Sequence, residues 1–72
     1  PLSRGSSEAL HGPAMRGTPS LRVAALRALA ATARKPTAKD LGAAAAALRA
    51  EDADVRLEGA RTFLILALRS YD

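Results

Sequence analysis

The stretch TPSLRVAALRALAATA, starting at Thr18, returns 34 positions later as DADVRLEGARTFLILA, starting at Asp52. At that offset Thr18 meets Asp52, and both are good helix N-caps. Leu21 meets Val55, Arg22 meets Arg56, Val23 meets Leu57, Leu26 meets Ala60, Arg27 meets Arg61 and Leu29 meets Phe63. Any two amphipathic helices share a 3.6-residue period, so the apolar phase alone says little. The shared cap and the two arginines at shared spacing say more. They point to two related helical units in one short chain.

Composition narrows the class further. Apolar residues make up 49% of the 72 positions, and alanine supplies most of them. Phe63 and Tyr71 are the two aromatics. Alanine favours helix but buries little area, so helices should form readily around a thin core. Strand-favouring β-branched and aromatic residues are scarce, which argues against a sheet. A chain of this size hides only about 60% of its unfolded surface and is marginally stable alone. With no cysteine there are no disulfides, no thiolate metal sites and no thiol catalysis. Well-packed helices or a partner surface remain as the sources of stability.

The fold class read from the sequence is all-α: a three-helix antiparallel bundle or a helical-repeat fragment, carrying an extended N-terminal arm. Residues 1–17 hold three Gly and two Pro with no sustained period, and are expected to form a flexible or extended arm ahead of a helical domain over 18–72. The spacing predicts helices over 18–34, 37–50 and 53–70. Thr18 with Pro19 opens the first, with Leu21, Ala25, Ala28 and Leu29 as its stripe. Thr37 and Asp40 open the second as a capping box, with Leu41, Ala44, Ala45 and Leu48 inward. The third starts near Asp52 to Asp54 and is apolar almost all round from Thr62 to Leu68. Such a helix is normally covered on several sides, and two alanine-rich helices cannot easily do that. Gly59, mid-helix, is expected to permit a close crossing.

The stretch EDADVRLEGARTFLILAL, with a polar cap, a short spacer, "VR", and then small and large apolar residues, resembles the second helix of a HEAT-type helical repeat. TPSLRVAALRALAATA resembles the same element, and TAKDLGAAAAALRA would be the first helix of the intervening unit. The resemblance spans residues 18–70, about one and a half repeats, with a 34-residue period shorter than typical HEAT units of roughly 40–47. It implies a scaffold or binding module without catalysis.

Chemistry is sparse. Asp52, Asp54 and Glu58 lack the ligand number and the central glycine of a calcium loop, so capping is the expected role of Asp52. No carboxylate pair, activated nucleophile or glycine-rich phosphate loop is present, and His11 has no second imidazole. No enzyme activity, catalytic residue, metal, cofactor or small-molecule substrate is expected. A DNA-reading helix-turn-helix is disfavoured because the would-be recognition helix opens with Glu51, Asp52 and Asp54, which phosphates repel. Arg56, one turn into its helix, is expected to pair locally.

Charge is uneven. Residues 1–50 carry eight Lys/Arg against two acids, +6, while 51–72 carry three against five, −2. Two functional expectations follow. The first is a structural or adaptor subunit of a larger assembly, bound to other protein chains through Leu57, Phe63, Leu64, Leu66 and Leu68, with Phe63, Leu64 and Leu68 central and Arg27 on the solvated side. The alternative is a small basic ribonucleoprotein subunit, for instance of an organellar ribosome. There Arg22, Arg27, Arg34, Lys35 and Lys39 would touch RNA phosphates or an acidic partner. The longest apolar run, FLILAL, is too short to span a bilayer. An intracellular location is expected, in the cytosol or in an organelle such as the mitochondrion. The opening Pro1 leads one to expect a processed chain or a fragment.

Overall fold

The structure, a computed structural model, describes residues 8–71. It is all-α, with four helices and no strand among the described residues. They are α1 (His11–Arg16), α2 (Pro19–Thr32), α3 (Ala38–Ala47) and α4 (Ala53–Tyr71). The last three match the helices predicted over 18–34, 37–50 and 53–70. The first corrects the arm expected over 1–17, of which residues 1–7 lie outside the described residues. Gly12 and Pro13 hid this helix. In a first turn, however, the amides have no intrahelical acceptor, so a proline there costs no hydrogen bond. Ala14 is fully closed off at its centre.

The caps act as the sequence implies. Thr18 Oγ1 accepts from the Leu21 amide at 3.3 Å. Thr37 and Asp40 form the reciprocal capping box, with the Thr37 amide donating to Asp40 Oδ2 at 2.9 Å and the Asp40 amide to Thr37 Oγ1 at 3.2 Å. Asp52 Oδ1 accepts from the Asp54 and Val55 amides at 2.9 and 3.1 Å, which is the capping role expected of it.

Packing pairs α1 with α2 and α3 with α4 as two consecutive helical hairpins. The hairpins then meet first helix to first helix, α1 on α3, and second to second, α2 on α4. An up-and-down bundle would instead set α2 against α3 and α1 against α4. Neither pair is a substantial contact among the described residues. The core is thin, as the alanine content requires: Ala25, Leu26, Leu29, Ala43, Ala44, Ala47, Val55 and Leu66. Leu21 and Leu48, expected to face inward, are 48% and 41% exposed. In α3 the buried stripe falls one position earlier than expected, on Asp40, Ala43, Ala44 and Ala47.

Gly59 sets the α3–α4 crossing. A Cβ there would lie 2.5 Å from Ala47 Cβ and 3.3 Å from the Ala44 carbonyl oxygen. The two backbones approach as closely as they do because Gly59 has no side chain and Ala47 only a methyl.

Candidate protein-interaction face

α4 buries one partly apolar side and exposes another. Its buried side carries Val55, Glu58, Gly59, Thr62 and Leu66. Its outer side carries Leu57, Leu64 and Leu68, which are 59%, 60% and 67% exposed. Ile65 and Tyr71 are also exposed on this helix. The polar groups on the buried side are satisfied from α2. Thr62 Oγ1 donates to the Leu26 carbonyl at 3.1 Å, and Glu58 Oε1 accepts from Arg27 Nε at 3.3 Å. Farther along, the Arg69 guanidinium donates to the Ala30 carbonyl, and to that of Ala33 at 3.1 Å. These carbonyls belong to the last turn of α2, where helical partners run out.

The five residues expected to contact a partner therefore divide. Leu66 is wholly inside the chain's own core and is corrected to a structural role. Phe63 is half-buried against that core, so it is not the free centre of a binding face. Leu57, Leu64 and Leu68 form the exposed stripe.

The five basic residues divide as well. Arg22 Nε donates to the Ala14 carbonyl at 2.9 Å, tying α2 to α1. Arg27, expected on the solvated side, is exposed yet paired with buried Glu58. Arg34 and Lys35 lie in the α2–α3 connection and Lys39 in the first turn of α3, all exposed. Arg56 Nη1 donates to the Ala50 and Glu51 carbonyls, each at 2.8 Å. Half of the arginine echo thus has a cause. Arg22 and Arg56 each sit four residues after an N-cap, and each donates to backbone carbonyls of the preceding chain, Ala14 for Arg22 and Ala50 and Glu51 for Arg56.

One contact was missed from the sequence. His11 Nε2 lies 2.5 Å from Asp40 Oδ1, and both side chains are largely buried. Burial alone would push the Asp40 carboxyl up. The Thr37 amide, the hydrogen bond and attraction of His11, and the Thr37 hydroxyl outweigh it and hold that carboxyl below its ordinary value of 3.8. Nothing in the spacing of residues 11 and 40 signals this pairing. It arises because α1 is a helix that docks on α3.

A shallow groove runs between the N-terminal halves of α2 and α4, with Val23, Ala24, Arg27, Leu57, Glu58 and Arg61 on its walls. Its walls combine apolar side chains, the Arg27–Glu58 pair and the charged side chains of Asp54 and Arg61. No group of three or more metal-ligating side chains occurs among the described residues, and no helix there is long and apolar enough to cross a membrane. Comparisons with protein-family models, with curated proteins and with solved structures found no match to this chain.

Proposed function

We propose that this chain is a non-catalytic structural or adaptor module that binds other proteins through the outer side of α4. One observation carries the reading: Leu57, Leu64 and Leu68 line the exposed side of a helix whose opposite side is closed by the chain itself. Several large apolar side chains exposed on one side of a helix are a common mark of an interaction site. The HEAT-like resemblance is supported by the two stacked hairpins and by the capped helix that carries an arginine four residues later. The RNA reading is weaker, since Arg22 and Arg27 are engaged internally and, among the described residues, only Arg34, Lys35 and Lys39 of its five residues have no partner.

The test is co-purification of the tagged chain against the same chain carrying Leu57→Ser, Leu64→Ser and Leu68→Ser. The variant is expected to keep its helicity and to lose the protein chains that accompany the native form. Equal retention would remove the reading. Recovery of RNA instead, with an affinity that falls steeply with salt, would favour the basic residues.

A further inference from the structure

The offset of 34 relates surfaces as well as sequences. α2 meets α4 through Val23, Leu26, Arg27, Ala30 and Ala33. Leu26, Ala30 and Ala33 present their carbonyls to Thr62 and Arg69, Arg27 pairs with Glu58, and Val23 walls the shared groove. Thirty-four positions on stand Leu57, Ala60, Arg61, Leu64 and Ala67. Leu57, Ala60, Arg61 and Leu64 are exposed and Ala67 is half-exposed. So α4 presents outward the counterpart of the side by which α2 holds α4. Just beyond α3, Leu48 is 41% exposed where its equivalent in α1, Ala14, is fully covered. Arg61, the equivalent of Arg27, makes no ion pair among the described residues.

We infer that the outer side of α4 receives one further helical hairpin of another polypeptide segment, whose second helix places a carboxylate against Arg61 as Glu58 is placed against Arg27. This rests on the proposed function and names the occupant. Charge and shape argue for such a hairpin over a second copy of this chain stacked in the same register. A second copy would bring α2, which has Ala24, Ala28 and Thr32 where α4 has Glu58, Thr62 and Leu66. It would offer Arg61 no carboxylate, the Ala60 carbonyl no hydroxyl donor and the apolar stripe no leucine. A helix with the inward pattern of α4 supplies all three.

The probe is that hairpin itself. Residues 33–72 are joined a second time after Asp72 of the full chain through a flexible Gly/Ser linker, which holds the added hairpin at roughly millimolar effective concentration. The added hairpin is expected to raise the urea midpoint above that of the original chain. Arg61→Ala in the first copy should weaken docking by about two- to five-fold, the range of an exposed charge pair. Glu58→Gln in the added copy should do the same, and the two should not add. Arg61→Ala in the original chain should leave its midpoint in place. The inference is overturned if the added hairpin gives no gain, or if Arg61→Ala leaves the gain intact, as it would were the added copy merely replacing α3–α4 on α2. It is also overturned if the native chain sediments as a dimer that Leu64→Ser disperses, which gives the face to a second copy. If the tandem fails while the triple-serine variant still loses its partners, the binding face stands and only its occupant is wrong.

Discussion

Gly42 and Gly59 lie in neighbouring helices, and their surroundings give an added methyl opposite effects. Nothing stands within 4 Å of a Cβ built at Gly42, whereas one at Gly59 would meet Ala47 Cβ at 2.5 Å. Alanine in an exposed helix interior is worth about 0.8–1 kcal/mol over glycine. Gly42→Ala should therefore raise the urea midpoint. Gly59→Ala gains the same propensity but must separate α3 from α4, because the obstacle is a short side chain and backbone with nowhere to turn. Overpacking of that kind costs about 1–3 kcal/mol, so the midpoint should fall. Two variants measured by urea unfolding decide the matter, and a stabilising Gly59→Ala would mean that the close crossing is not there. Arg27, expected on the solvated side, pairs with Glu58, so Arg27→Ala should cost toward the upper end of the roughly 0–1 kcal/mol of partly exposed ion pairs.

At the scale of elements, α1 and α3 are joined by a group that titrates. Asp40 closes the capping box of α3 and holds His11 of α1, and its folded carboxyl lies below the ordinary value. A depressed carboxyl contributes stability above its unfolded value, and that contribution is lost as pH falls through the folded one. The difference in urea midpoint between the native chain and Asp40→Asn should thus be largest above about pH 4 and shrink progressively in more acidic solution. A difference that does not vary between pH 6 and pH 2 would contradict the assignment. How much of this was legible in the sequence depended on whether the signal was local. Thr18, Thr37 and Asp52 announced their helices because a cap acts within three residues of itself. The capping box was readable for the same reason. The inward side of α4 was not, because the helix has two apolar faces, one with Leu57, Leu64 and Leu68 and one with Val55, Gly59 and Leu66, and the chain buries the second although Glu58 and Thr62 border it. Only the distant partners on α2, Arg27 and the Leu26 carbonyl, make that burial tolerable. α1 was hidden by Gly12 and Pro13, and His11 by its partner 29 positions away. The arginine echo was visible in the sequence, while the reason for its first pair, Arg22 and Arg56, carbonyls left over at the ends of preceding elements, appeared only in the structure.

For the molecule as a whole, the two hairpins supply a small core, and three of the four leucines of α4, Leu57, Leu64 and Leu68, are left outside it. Leu66 is fully buried and Leu64 is 60% exposed, two residues apart on one helix. A folded chain with Leu64 inside would have no free face to offer. Urea unfolding of Leu66→Ala and Leu64→Ala, followed by circular dichroism, tests that contrast most directly. Leu66→Ala opens a cavity worth about 2–5 kcal/mol and should leave so small a domain largely unfolded. Leu64→Ala, at a solvent-facing helical site, should fall within about 0.5 kcal/mol of the native chain. Equal losses, or a tolerated Leu66→Ala beside a damaging Leu64→Ala, would mean that α4 is turned the other way and that its leucines form the core of the chain rather than its binding face.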